Sequence, residues 1–349
     1  MSSFWKKSPI SVRRMDFTFN DIPRYWLGDD VLVTHLLNAM SMTFPEGERF
    51  FVESVRAFRE GISDPVLQKE VGAFIGQEAM HAKEHNTFNR YLEAQGLNVA
   101  AIEANTLRNI NRTRENMTPA VKLAITCALE HFTAIMAEQM LGNPEFMARM
   151  DPHMRTLWAW HAIEETEHKG VAFDVFRSQV GDEEMRRRVM RRVTFFFIMR
   201  NSYFTGRLLY EDGKLFSPTV WYKGIKTLWG KRGFFRGMYA SYIEYYDRDF
   251  HPWQRDTREL VEQWKQKLGL NELPTPAKAA NAAEAVPSLA AETAAPIVVE
   301  AAAKPARKPR IAKSKAEPKA AADDLTEAVT PKPKRAPRRN AAEPEPKLH

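Results

Sequence analysis

Two copies of a Glu-x-x-His motif constrain what this chain can fold into more than any other feature of its sequence. The first copy is Glu78 with His81, and the second is Glu165 with His168. Residues three apart lie on one face of an α-helix, so the carboxylate and imidazole of each copy can reach the same metal ion. One copy is common by chance, whereas two copies on separate helices predict a helical bundle around a metal site.

Two further glutamates stand where such a bundle would need them. Glu48 precedes Glu78 by 30 residues and Glu130 precedes Glu165 by 35, which suits a helix, a short turn and an antiparallel return. Their neighbours at helical spacing are apolar, so both carboxylates are expected to be buried and therefore protonated, paired or bound to metal. The predicted metal ligands are Glu48, Glu78, His81, Glu130, Glu165 and His168.

The ligand types indicate which metals the site would take. Carboxylates can bridge two cations and neutralise their charge, and Glu78 and Glu165 are the better candidates for bridging. A mixed shell of imidazole and carboxylate suits iron first, with manganese or zinc as alternatives. A thiolate-rich zinc site is excluded because Cys127 is the only cysteine. We therefore predict two metal ions, with iron as the leading choice.

Two more histidines lie on the same helical faces as the predicted ligands. His85 is four residues after His81, and His161 is four residues before Glu165. Each could be an extra ligand, a proton shuttle or a hydrogen-bond partner of a ligand. The interpretation we favour is a hydrogen-bonded histidine near the end of the bundle.

Start and stop signals divide most of the chain into helices. Capping residues followed by proline begin helices at 63–65 and 118–119, and glycines end them at 61, 96, 142 and 181. No period-two alternation predicts a strand. The predicted helices span 30–59, 65–94, 99–111, 119–141, 144–179 with a break near 151–152, 182–210, and two helices within 220–268. The fold class is therefore all-α.

Composition changes abruptly near residue 271. Residues 301–349 hold 13 Lys and Arg against 6 Asp and Glu, so this segment alone carries +7, which equals the formal charge of the whole chain. A segment with no aromatic residue cannot bury enough apolar surface to fold, so 271–349 is predicted to be disordered. Its basic clusters, 304–319 and 332–339, could bind an anionic partner weakly, although a solubilising tail is the favoured interpretation.

Residues 186–253 combine many aromatic side chains with many arginines and lysines. Helices of this composition can lie in a membrane interface and admit a lipid-like substrate. The interpretation we favour is that the aromatic side chains cover the open side of the bundle and complete its core. Nucleic-acid binding ranks third, because no helix-turn-helix or similar module is present.

The same features predict the domains and the compartment. We expect an N-terminal extension at 1–28, a metal-binding bundle at 29–181, a C-terminal helical region packed on the bundle at 182–270, and the tail. A single cysteine fits a reducing compartment, and no apolar run suits a signal peptide or a spanning helix. We predict a cytoplasmic protein, peripheral to the inner membrane if 186–253 docks there.

Four sequence blocks resemble a known bacterial family. They are FPEGERFF (44–51), FIGQEAMHAKEHN (74–86), ALEHFTA (128–134) and WHAIEETEHKGVAFDV (160–175). Together they resemble the family labelled predicted metal-dependent hydrolase, which is similar to the ferritin-like di-iron carboxylate superfamily. The resemblance covers about residues 10–255, and it implies a ferritin-like four-helix bundle with a two-metal site on the six residues named above.

The reaction is less constrained than the site. A Glu and His site on four helices resembles oxygen-activating enzymes, so the leading expectation is a di-iron oxidoreductase that oxidises an apolar or lipid-like substrate with an unidentified electron donor. The first alternative is a two-metal hydrolase acting on an ester or phosphate, as the family label implies. The second alternative is a non-catalytic iron-binding bundle. A metal-free structural bundle ranks last.

Overall fold

The computed structural model describes residues 6–270, and within them the all-α prediction is confirmed. This part of the chain contains no β-strand, although an isolated bridge joins Leu27 to Met150. The helices are α1 (Val31–Arg56), α2 (Pro65–Ala94), α3 (Val99–Asn116), α4 (Pro119–Leu141), α5 (Pro144–Ala148), α6 (Pro152–His168), α7 (Val171–Gln179), α8 (Glu183–Glu211), α9 (Pro218–Trp229), α10 (Phe234–Glu244) and α11 (Arg258–Lys267). The predicted disordered tail, 271–349, lies outside the described residues.

Capping side chains set the starts of the site-bearing helices. Asp30 accepts a hydrogen bond from the backbone N–H of Val33 at the start of α1, and Asp64 accepts one from Val66 at the start of α2. Thr118 caps α4 in the same way. These bonds satisfy backbone donors that a helix start leaves without partners, which is why the start signals were readable from sequence.

Two predicted helical segments are divided further in the structure. The segment 144–179 forms three helices, because the chain breaks at Lys169 and Gly170 as well as before Pro152. A side-chain carbon at Gly170 would lie 2.7 Å from the indole nitrogen of Trp253, so the break accommodates a residue far along the chain. The segment 220–268 also forms three helices, α9 to α11, and the prediction of two was wrong.

Four helices surround the centre of the molecule. Helix α1 packs on α2 and on α4, and α6 packs on α4 and on α2. The later helices cover this arrangement from outside: α8 lies on α1 and α4, α9 on α1, α10 on α4 and α9, and α11 on α6. The four inner helices therefore bring residues from widely separated parts of the sequence to one interior.

Among the described helices, α4 is the one that is long and apolar enough to cross a membrane by length and composition. It is nevertheless a core helix, since 67% of its most apolar window is buried inside the protein. It also carries Glu130 and His131, both buried, and the imidazole of His131 lies 3.1 Å from the carbonyl of Ser241.

The aromatic side chains of 186–253 divide into two groups. Phe204, Phe234, Tyr245 and others are buried against the inner helices, as the core interpretation expects. A second group is more than half exposed, which corrects that interpretation for these residues: Phe195, Phe196, Tyr203, Tyr222, Trp229 and Tyr239.

Candidate metal centre

The six predicted ligands meet in the interior formed by the four inner helices. Glu48 comes from α1, Glu78 and His81 from α2, Glu130 from α4, and the second motif from α6. All six side chains are buried, with exposures between 0% and 3%. Residues 120 positions apart therefore share one enclosed site.

His168 stands among three carboxylates. Its Nε2 atom lies 3.2 Å from Glu78 Oε1, 3.4 Å from Glu130 Oε2 and 3.5 Å from Glu165 Oε2. One N–H cannot hydrogen-bond three acceptors in three directions with good geometry. The arrangement is instead that of ligand atoms around a common centre.

His81 occupies the corresponding position on the other side of the site. Its Nδ1 atom lies 3.4 Å from Glu165 Oε1 and 3.9 Å from Glu78 Oε1. Glu78 and Glu165 thus approach both imidazoles, as expected of carboxylates that lie between two metal positions.

Three groups of side chains place ligand atoms within 4.8 Å of one another. They are Glu78 with Glu130 and His168, Glu78 with His81 and Glu165, and Glu48 with His81 and His161. Every one of the six predicted ligands belongs to at least one group. The groups add one residue, His161, to the set.

The atoms that point into the centre have no hydrogen-bond partners within the described chain. They are both carboxylate oxygens of Glu48, Glu78 and Glu130, Oε2 of Glu165, Nδ1 of His81 and Nε2 of His168. Buried polar atoms are nearly always satisfied, so a cluster of unsatisfied acceptors is a specific signal. Oxygen and imidazole donors around a shared point fit divalent cations, and the buried clusters support a metal site.

The electrostatics of the centre also require positive charge. Burial, together with the neighbouring carboxylates, raises the pKa of Glu48, Glu78 and Glu130 well above the usual range. Burial acts the same way on Glu165, but the three nearby imidazoles outweigh it and hold the pKa of that carboxyl well below its usual value. Four ionised carboxylates this close repel each other, and divalent cations would remove that repulsion.

A chain of hydrogen bonds fixes the tautomer of His161. Ser41 Oγ donates to Asn89 Oδ1 at 2.8 Å, so it accepts from His85 Nδ1, also 2.8 Å away. His85 therefore accepts at Nε2 from His161 Nδ1 at 2.9 Å. The lone pair of His161 Nε2 is left facing Glu165 Oε1 at 3.2 Å.

The two extra histidines thus differ in position. Burial lowers the pKa of His161 to about 4 and lowers the pKa of His85 as well, so both rings are neutral near pH 7. His85 is a hydrogen-bonded neighbour, as the favoured interpretation expects. A ring nitrogen of His161 lies within 4.8 Å of ligand atoms of Glu48 and His81, which is the geometry of a further ligand.

The residue before each motif glutamate faces the histidine of the other motif. Gln77 accepts a hydrogen bond from His168 Nδ1 at 2.9 Å, which directs Nε2 of that ring into the centre. Glu164 Oε2 lies 3.2 Å from His81 Nε2 without a hydrogen bond between them, so it faces the outer nitrogen of that ring while Nδ1 faces the centre. Partners of this kind fix the orientation of metal-binding imidazoles. Neither residue was predicted from the sequence, although each directly precedes a Glu-x-x-His motif.

Replacing Gln77 by Leu is expected to weaken metal binding by about 10- to 100-fold without unfolding the protein, because the His168 ring loses its orienting acceptor. Competition with a chelator of known affinity would measure the loss, and circular dichroism would check the fold. An unchanged metal affinity would mean that His168 is held by other contacts.

The N-terminal segment contributes a buried cation to the outer side of the site. Arg13 bonds Glu167 through Nη2 at 2.8 Å and Glu164 through Nη1 at 3.1 Å. Lys265, from α11, also lies 2.8 Å from Glu167. Burial raises the pKa of Glu164 to about 8, although the Arg13 charge opposes the shift.

Arg13 was not among the site residues predicted from the sequence, because it falls in the predicted N-terminal extension, 1–28. One signal was available: helix α6 carries glutamates at 164, 165 and 167, and all three are buried. Three buried carboxylates within four positions need cations from elsewhere in the chain.

Comparison with known proteins supplies the family. No curated protein and no solved structure matches the chain. A family model described as predicted metal-dependent hydrolase matches residues 11–256, which covers the site, the Arg13 segment and helices α1 to α10. The ferritin-like likeness is not tested by this match and stays a prediction.

The match also corrects the expected reaction. The expectation of a di-iron oxidoreductase is wrong, because the family that matches is described as hydrolytic, and this favours the alternative named from the sequence. Carboxylate and imidazole ligands do not distinguish oxygen chemistry from hydrolysis, so ligand types alone misled the choice. The chain belongs to the predicted metal-dependent hydrolase family.

Proposed function

We propose that this protein is a hydrolase that uses two divalent cations held between α1, α2, α4 and α6. The observation that carries the proposal is the set of buried carboxylate and imidazole atoms that converge without hydrogen-bond partners. The family description supports hydrolysis as the reaction. Glu130 and His168 would hold one ion and Glu48 and His81 the other, with Glu78 and Glu165 placed to reach both and His161 Nε2 beside the second.

When bound, two such cations would lower the pKa of water and polarise an ester or phosphate oxygen. The protein's own residues would fix the geometry of that chemistry. Gln77 and Glu164 face the outer nitrogens of the two imidazoles, and Arg13 and Lys265 balance the carboxylates behind the site. The buried setting excludes bulk water and strengthens each of these interactions.

The type of metal is part of the proposal. Mixed nitrogen and oxygen ligands suit iron, manganese and zinc, and all three can serve hydrolysis in two-metal sites. We propose a cytoplasmic location, which is supported by Cys127, the only cysteine, being buried and free.

An apolar cavity reaches the centre at His161 and suggests the substrate class. Its volume is about 30 Å³, and its walls come from α1, α4, α6, α9 and α10. Its lining on α1 runs from Val33 to Phe44, a length of about 16 Å at 1.5 Å per residue. An apolar space of this volume beside a hydrolytic centre takes a short apolar group, so we propose a substrate with an apolar portion next to the bond that is cleaved.

Hydrolysis of p-nitrophenyl esters tests this function. We expect release of p-nitrophenol that stops after chelation and returns with iron, manganese or zinc. Because the cavity is apolar, kcat/KM should rise as the acyl chain lengthens, by up to about tenfold for each added methylene that the cavity accommodates. A phosphodiester assayed in parallel would show whether the site prefers phosphate. Hydrolysis that persists after all metal is removed would contradict the proposal.

A further inference from the structure

The described residues that expose large apolar side chains are concentrated in one segment of the chain, residues 195–243, on helices α8 to α10 and the turn between α8 and α9. Elsewhere such residues are scattered: Val66, Leu107 and Met117. The remainder form a group that we call the aromatic surface: Phe195, Phe196, Ile198, Met199, Tyr203, Tyr210, Phe216, Trp221, Tyr222, Ile225, Trp229, Tyr239 and Ile243. Single exposed apolar residues are ordinary, but a concentration of this size marks an interaction surface.

Helix α8 is apolar on two opposite sides. Its inner side, with Phe204 and Leu208, is buried. Its outer side exposes Phe196, Met199 and Tyr203, which follow each other at helical spacing and are 55% to 62% exposed. The inner side of α8 already packs on the protein, so the apolar stripe on its outer side is left for another body to cover.

Helix α9 is held flat against the protein with its aromatic side outward. Gly224 approaches Leu32 of α1 so closely that a side-chain carbon there would lie 2.3 Å from it. The opposite side exposes Tyr222, Ile225 and Trp229 at 50% to 70%. Helix α10 continues the surface, because Trp229 and Phe235 have ring centroids 5.5 Å apart.

The aromatic surface lies in a strongly basic segment. Residues 186–243 hold 13 Lys and Arg against 2 Asp and Glu, which gives a net charge of +11. Both acidic residues are already paired inside the protein, Glu211 with Arg207 at 3.0 Å and Asp212 with Arg24 and His35. Two of its arginines pair with carboxylates outside the segment, Arg186 with Glu183 and Arg232 with Glu145, and the charge that remains on the segment is positive.

We propose that the aromatic surface docks on an anionic lipid bilayer. Tyrosine and tryptophan favour the level of the lipid headgroups, and lysine and arginine around them are attracted to anionic lipid. A second copy of the chain is a poorer partner, because a symmetric contact would bring two segments of charge +11 together.

Docking would also place the substrate cavity beside the bilayer. The cavity is lined by Leu228 of α9 and by Phe234 and Phe235 of α10, next to the exposed Trp229. Apolar substrate could then enter from the membrane without crossing water. This last step rests on the proposed function, whereas the docking itself does not.

Sedimentation of the full chain with lipid vesicles tests the docking. We expect binding to phosphatidylcholine vesicles that contain about 30% phosphatidylglycerol, and little binding to phosphatidylcholine alone. Tyr222→Ser combined with Trp229→Ser should lower the partition coefficient about tenfold. Lys226→Glu should lower it about fivefold at low salt. The matched control is Val66→Ser with Met117→Ser, which removes exposed apolar side chains elsewhere and should change nothing.

Since the basic tail is present in every variant, it cannot account for a difference between them. Equal binding by the aromatic double variant and the control would overturn the proposal. The proposal would also be overturned if the wild type formed a dimer and did not bind vesicles, and if the double variant were monomeric. A Glu78→Gln variant that binds vesicles as the wild type does would show that docking stands apart from the metal centre, so a failure of hydrolysis would leave docking unaffected.

Discussion

Replacing Glu78 by Gln is expected to abolish metal binding and hydrolysis while leaving the protein folded. Glu78 belongs to two of the three ligand groups, so one substitution affects both metal positions. The loss of both ions should lower kcat/KM by about a thousandfold or more, since the metals supply several kcal/mol of transition-state stabilisation. Metal analysis and the ester assay would measure the two effects.

The metal-free variant is expected to be at least as stable as the metal-free wild type. The substitution replaces one of four crowded carboxylates by a neutral amide. We expect the free energy of unfolding to be about 1 kcal/mol higher than that of the metal-free wild type. Glu93→Gln is the matched control, because Glu93 lies on the same helix but pairs with Arg90 at the surface. Full metal content in the Glu78 variant would refute its role as a shared ligand.

Replacing Arg13 by Met is expected to destabilise the protein strongly. It leaves the buried, ionised Glu167 with Lys265 as its remaining cation and removes the hydrogen bond that Glu164 accepts from Arg13. Breaking a buried ion pair from one side costs about 3–5 kcal/mol, because the remaining charge stays buried without compensation. Urea unfolding followed by circular dichroism would measure the change.

The neighbouring residue provides the control for this experiment. Arg14 has a side chain that is 70% exposed and pairs only with the exposed Asp16, so Arg14→Met should leave the urea midpoint unchanged. Equal midpoints for the two variants would mean that the Arg13 network contributes no more to stability than a surface pair.

The six candidate ligands could be selected from the sequence because their convergence follows from helix geometry. Glu78 and His81 share a face through a local spacing, and Glu48 and Glu130 lie one antiparallel helix earlier. The starts of α2 and α4 could be predicted in the same way, since a capping residue and the proline after it determine them. Such features depend on residues that are close in the chain.

The features that could not be predicted from the sequence depend on distant contacts. Arg13 reaches Glu164 across 151 residues, and no local pattern in 1–28 indicates that pairing. The break at Gly170 is linked to Trp253, which approaches it from far along the chain. The exposure of Trp229 could not be read from composition either, because an aromatic residue beside lysine is compatible with a core or with a surface.

An anomalous difference map from crystals of the full chain, recorded at the edge of the bound metal, would test the two-metal centre most directly. We expect two peaks between α1, α2, α4 and α6, each about 2.0–2.2 Å from carboxylate oxygens and imidazole nitrogens. Glu78 should lie between the peaks. The absence of any peak at this centre in metal-loaded protein, with the six side chains hydrogen-bonded to water instead, would contradict the assignment of a metal site.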